Sequence, residues 1–111
     1  MGREVRRYDI CFARLDPVEG SELAKTRPAV IVSLDVLNKK LATVVVCPLT
    51  SQLHPQWRTR LQIRCAGRPA EIAVDQIRAL SKSRLTRKVD QLSAEDAEAL
   101  RRLIAEMYCT D

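Results

Sequence analysis

The strongest constraint on the fold is the run Thr43-Val44-Val45-Val46-Cys47-Pro48, the most β-prone stretch of the chain. Valine is stiff at χ1 and fits a pleated surface better than a helix, so this run predicts a central strand. Pro28-Ala29-Val30-Ile31-Val32 is a second run of the same kind. Residues 6–15 alternate Tyr8, Ile10 and Phe12 with Asp9, Cys11 and Ala13, a period of two that predicts a strand with a well-buried face, ended by Asp16-Pro17. Residues 18–26 lack a sustained apolar period and read as a loop, and residues 33–40 hold enough for one or two helical turns around Val36 and Leu37. Residues 52–59 carry His54, Pro55 and Trp57 without periodicity, a second loop. Leu61 to Cys65 and Ala70 to Val74 then read as a hairpin turning at Gly67-Arg68-Pro69, with a loop slightly longer than the tightest types. Five strands result.

After Leu92 the pattern changes. Ser93 is an N-cap residue followed by Glu95 and Asp96, acids placed where the helix dipole favours them. Ala97, Leu100, Ile104 and Met107 recur at three- and four-residue steps, with Leu103 and Tyr108 beside them. This stripe needs a surface to pack on. The architecture expected is mainly β (α+β): a small, strongly bent antiparallel sheet or partly closed barrel, with the C-terminal helix over one open side. At 111 residues, 46% hydrophobic and 30% charged, the chain suits one ordinary soluble domain over 1–111.

Several function classes drop out. The longest apolar stretch, residues 41–49, is far short of the roughly 18 to 20 needed to span a membrane, and the first residues lack a signal-peptide hydrophobic region, so a cytoplasmic protein without membrane attachment is expected. Cys11, Cys47, Cys65 and Cys109 are scattered, with only His54 to join them, so no metal site is expected; Cys11, Cys47 and Cys65 read as small buried apolar residues. No GxGxxG, P-loop, GxSxG or HExxH pattern occurs, and no cofactor is expected.

Charge points the other way. The net charge is +5, but residues 1–92 carry +8 and residues 93–111 carry −3. Between Ser51 and Leu92 nine Arg or Lys face three acids, and arginine dominates, which suits forked contacts to phosphate. An anionic polymer is the partner class this implies.

Three segments concentrate polar groups at strand ends, where rigid elements hold reactive loops. Gly20-Ser21-Glu22 leads to Arg27-Pro28; Pro48-Leu49-Thr50-Ser51-Gln52 ends the central strand; Val74-Asp75-Gln76-Ile77-Arg78 ends a later one. Asp75 and Arg78 also admit a purely structural ion pair.

In order and spacing these segments resemble the MazF/PemK family of type II toxins, the endoribonucleases of toxin–antitoxin systems. Asp9-Ile10 and Asp16-Pro17 look like the family's opening strand, and Gly20-Ser21-Glu22 with Arg27-Pro28-Ala29-Val30 like its first active loop. Val46-Cys47-Pro48-Leu49-Thr50-Ser51-Gln52 looks like its second, and Asp75-Gln76-Ile77-Arg78 with Ser83-Arg84-Leu85 completes the pattern. Departures exist: Tyr8 replaces a usual glycine, Phe12 a common tryptophan, Leu23 a common glutamine, Lys25 a common glycine, and Leu80-Ser81 a frequent Ile-Asp.

The resemblance implies an SH3-like barrel that forms a homodimer and cuts single-stranded RNA without metal, through attack by the substrate's own 2′-OH, with an acidic, partly disordered antitoxin segment blocking its groove. It implies Arg27 and Thr50 as catalytic positions, with Glu22 the nearest base candidate and Asp75 second. Ser51, Gln52, Asp75, Gln76, Arg78 and Arg84 are the implied RNA-binding positions. The base stays unassigned at this point. Two rival readings remain: a CcdB-like inhibitor of DNA gyrase on the same barrel, and an RNA-binding module without activity.

Overall fold

The computed structural model describes residues 4–15 and 26–109. Seven antiparallel strands form one curled sheet: β1 (Asp9–Arg14), β2 (Thr26–Ile31), β3 (Thr43–Thr50), β4 (Arg60–Cys65), β5 (Arg68–Ala73), β6 (Arg78–Ser81) and β7 (Leu85–Gln91). Helix α1 (Asp35–Lys40) joins β2 to β3, and α2 (Ala94–Tyr108) ends the described chain. The strand path runs β4-β5-β3-β2-β1-β7, with β6 added to β3. β3 carries three partners, β6 along its first half, β2 along Val46 to Pro48 and β5 at Leu49 and Thr50. The valine run thus becomes the spine of the sheet.

Both faces of the central strands are covered. On one side Ile10, Val30, Cys47, Leu49 and Ile72 pack with Ala97 and Leu100 of α2. On the other, Cys11, Ala13, Ala29, Ile31, Val44 and Val46 form a second cluster with Leu80. This explains why β2 and β3 read as continuous apolar runs and not as alternating ones. Ser93 caps α2, its Oγ accepting the Asp96 N–H at 3.1 Å, and at the far end the Tyr108 hydroxyl donates to the Val74 carbonyl at 2.8 Å.

The barrel is closed only in part. Its end strands approach where the Ala66 N–H donates to Asp90 of β7 at 2.7 Å. That bond and the Gln91 N–H pull the Asp90 carboxyl below its ordinary range, against the opposing effect of burial.

Three expectations need correction. There are seven strands, not five. In β6 only Leu80 is buried and β7 has no buried residue, so neither shows the apolar alternation that marks a half-buried strand. The hairpin loop is the tightest kind: Cys65 pairs with Arg68, leaving Ala66 (φ 52°) and Gly67 (φ 81°) as two left-handed turn residues, which moves the start of β5 back to Arg68. Cys65 is only partly buried, unlike Cys11 and Cys47.

Tyr8 has φ 74°, the left-handed region that costs a side-chain-bearing residue about 1 kcal/mol. The departure from glycine there is therefore real strain. Its ring is partly buried against the first core, and its hydroxyl accepts from Arg101 at 3.2 Å.

Candidate active site

Arg27, Ala29 and Ile31 share one face of β2, as Val44, Val46, Pro48 and Thr50 share one face of β3. The ladder pairs Ile31 with Val46 and Ala29 with Pro48 and ends there; Arg27 and Thr50 are the next residues on that face of their strands. The row is apolar along its length and polar at its end. Across the next ladders Thr50 pairs with Glu71 of β5, and Glu71 with Gln62 of β4. Arg27, Thr50, Glu71 and Gln62 thus form a polar row over four adjacent strands, with opposed side chains on the same side.

Two cavities meet at this row, and Arg27, Thr50 and Gln52 line both. The larger, about 760 Å³, fills the gap left by the incomplete barrel, between Phe12, Arg87 and Lys88 on one wall and Arg68 to Ala70 on the other. The smaller, about 390 Å³, is bordered by His54, Arg60, Gln76 and Arg78. Six cations line the two together, and among the described residues neither lining includes a carboxylate. Such a surface attracts and orients phosphates.

Behind the smaller cavity lies a buried network. Glu71 has no exposed side-chain surface and accepts from four groups: the His54 backbone N–H, the His54 ring at 2.9 Å, the Gln62 amide at 2.8 Å and the Arg60 guanidinium. Burial alone pushes its carboxyl up; the four donors more than offset this and hold it at about 2. Arg60 reaches on through Nε to Asp75 at 2.9 Å. The Trp57 ring stacks on His54 with centroids 3.9 Å apart and lies under the Arg60 guanidinium.

The structure brings together Arg27, Thr50, Ser51, Gln52, Gln76 and Arg78 around the cavities. Thr50 Oγ1 accepts the Gln52 N–H at 3.1 Å, which fixes the turn after β3. Asp75 and Arg84 stand apart. Asp75 is held by Arg60 outside both linings, and Arg84 donates to the Arg14 carbonyl at 3.0 Å, tying the start of β7 to the end of β1. Glu22 lies outside the described residues. The sequence reading missed His54, Arg60, Glu71, Arg68, Arg87 and Lys88. A charged residue beside Ile72 in an apolar strand was the one available signal for Glu71.

Among the described residues, no three His, Cys, Asp or Glu side chains gather as a metal-ligand group.

Residues 6–108 match the family described as PemK-like, MazF-like toxin of type II toxin-antitoxin system. The chain belongs to this toxin family. It is 34% identical over 96 residues to endoribonuclease EndoA of Bacillus subtilis (strain 168), covering 82% of this chain and 83% of that one. It is 36% identical over 94 residues to endoribonuclease MazF of Staphylococcus saprophyticus, covering 80% and 78%. The PemK/MazF fold is shared with MazF of Deinococcus radiodurans (TM-score 0.80, 18% identity, covering 97% of this chain and 99% of that one). It is shared also with a mycobacterial endoribonuclease solved with its cognate antitoxin (TM-score 0.77, 19% identity, 92% of each chain covered).

Proposed function

We propose that this toxin is an endoribonuclease that cuts single-stranded RNA within one domain by attack of the substrate's 2′-OH on the adjacent phosphate. The observation that carries the reading is the convergence of Arg27 and Thr50, from two strands, on the border of two cation-lined cavities. Such a cleavage requires removal of the 2′-OH proton, stabilisation of a crowded phosphorane and protonation of the departing 5′-oxygen. Arg27 serves as a fixed positive fork on the phosphate oxygens, since an arginine is too basic to accept a proton at neutral pH. Thr50 donates its hydroxyl to the same phosphate, and Ser51, Gln52, Gln76 and Arg78 hold the flanking nucleotides. The nucleophile comes from the substrate and the counter-charge from arginine, so the reaction is expected to run without a metal.

The relatives named endoribonucleases support this reading, as does the basic groove. The relative solved with its antitoxin supports a second partner, an acidic, partly disordered segment that occupies the groove and opposes the +8 charge of residues 1–92. Around α1, Leu34, Val36, Leu37 and Leu41 are exposed, an apolar surface suited to a second copy in a homodimer. No helix among the described residues is long and apolar enough to cross a membrane, and we place the protein in the cytoplasm.

The test is cleavage of a single-stranded RNA in EDTA. The expected products end in a 2′,3′-cyclic phosphate and a 5′-hydroxyl, and 2′-deoxy substitution at the cut site abolishes cutting. Undiminished cutting of the deoxy substrate, or strict dependence on magnesium, overturns the mechanism. Inhibition of gyrase supercoiling without RNA cleavage would favour the CcdB-like reading, and sedimentation as a monomer at micromolar concentration would refute the dimer.

A further inference from the structure

We propose that His54 is the general base that takes the 2′-OH proton, and that buried Glu71 positions it. The inference rests on the ribonuclease reading above and supplies the group which that reading leaves unassigned.

Four observations converge. His54 borders the smaller cavity, which Arg27 and Thr50, the pair proposed to grip the phosphate, also line. Its Nδ1 lies 2.9 Å from Glu71 Oε2. An ionised carboxylate only accepts, so Nδ1 must carry the hydrogen, and the neutral ring keeps its lone pair on Nε2. No hydrogen bond among the described residues occupies Nε2. Glu71 stands opposite Thr50 in the β3–β5 ladder, which ties the ring to the same polar row as the phosphate-gripping pair.

Among the described residues, the other carboxylates near His54 are engaged or withdrawn. Glu71 is wholly buried and its oxygens are taken by four donors. Asp75 is held by Arg60 and lines neither cavity. The groups facing His54 are Glu71 from β5, Arg60 from β4 with its guanidinium 3.4 Å from Nδ1, and Trp57 stacked on the ring. Gln76, Arg27 and Arg78 line the same cavity. Trp57 and the Glu71 bond fix the ring plane, and a base so oriented contributes on the order of 10²- to 10⁴-fold.

In the step itself, the 2′-OH proton passes to Nε2 as the O2′–P bond forms and the P–O5′ bond breaks. The departing 5′-oxygen takes a proton from water, and the imidazolium returns its own to solvent. The net result is one proton moved from O2′ to O5′.

The experiment compares wild type with His54→Gln, His54→Asn and Glu22→Gln on one RNA across pH 5 to 9, with melting temperatures for each. Glutamine keeps an amide donor for Glu71 but is no base. The expected result is a folded His54→Gln protein with cleavage down on the order of 10²-fold or more and without the rise in rate that the wild type shows with pH. A substrate with sulfur in place of the bridging 5′-oxygen needs no acid at its leaving group, so it should not rescue His54→Gln. Unchanged rate and pH profile in both His54 variants, rescue by the sulfur substrate, or loss of the pH dependence in Glu22→Gln instead would each overturn the assignment. A wild-type protein that cuts no RNA would overturn the ribonuclease reading itself, whereas an active wild type with indifferent His54 variants overturns only this one.

Discussion

Thr50 and Glu71 are direct partners across the β3–β5 ladder. One side chain borders the cavities, and the other is fully buried as an ion. The sheet therefore carries a charge-bearing layer immediately behind its reactive edge: a change at Thr50 should act on rate with little effect on stability, whereas a change at Glu71 should act on stability and, through His54, on rate as well.

Arg27→Ala should lose on the order of 10²- to 10³-fold in cleavage, about 2.7 to 4 kcal/mol, with little change in melting temperature, because the side chain is exposed and lies outside the core. Thr50→Val should lose less. The double variant should fall short of the product of the singles, since both groups act on one transition state. Single-turnover rates and thermal melts decide it; near-wild-type cleavage by Arg27→Ala, or activity lost only through unfolding, refutes the assignment.

Glu71→Gln should destabilise the fold at neutral pH by on the order of 3 kcal/mol, the equivalent of holding a buried carboxyl at about 2 against an ordinary 4.5. The folded-state value is depressed, so this stability is present above the unfolded value near 4.5 and is lost as pH falls towards 2. Denaturant unfolding from pH 7 to pH 2 should show wild type and variant converging over that window. A gap between them independent of pH would count against an ionised Glu71.

RNA binding should weaken with salt. For about four phosphates contacted, log affinity should fall against log salt with a slope near −3, at roughly −0.7 per phosphate for a single strand. Arg87→Ala and Arg68→Ala, on opposite walls of the larger cavity, should each lower that slope. A complex indifferent to salt would contradict phosphate contact.

Two changes test how α2 is fastened. Ser93→Ala removes the acceptor for the Asp96 N–H and should cost about 1 kcal/mol. Leu100→Ala empties a fully buried position between α2 and the sheet and should cost about 2 to 5 kcal/mol. Chemical denaturation of both variants measures the difference directly.

Much of the fold was legible because burial leaves marks in composition. Val44 and Val46 on one face and Cys47 and Leu49 on the other made β3 unmistakable, and Ser93 announced α2 at the residue where it starts. β7 escaped because an edge strand exposed over most of its length is built from residues such as Thr86, Arg87 and Lys88 that any loop would accept. Arg27 and Thr50 were legible by resemblance, and the register explains their meeting. The His54–Glu71–Arg60 network was not. Its members come from a loop and two strands, and an acid in a strand gives no hint in one sequence whether it faces water or four donors.

Trp57 is the chain's single tryptophan, and it sits face to face with His54. The protein therefore carries its own optical probe at one place only. Charging of the imidazole quenches an indole in ring contact, so emission from the unlabelled protein reports the protonation of His54 directly, independent of turnover. Nucleotides entering the smaller cavity, which His54 borders, should disturb the same stack, so that occupancy becomes readable by spectroscopy in variants too slow to assay.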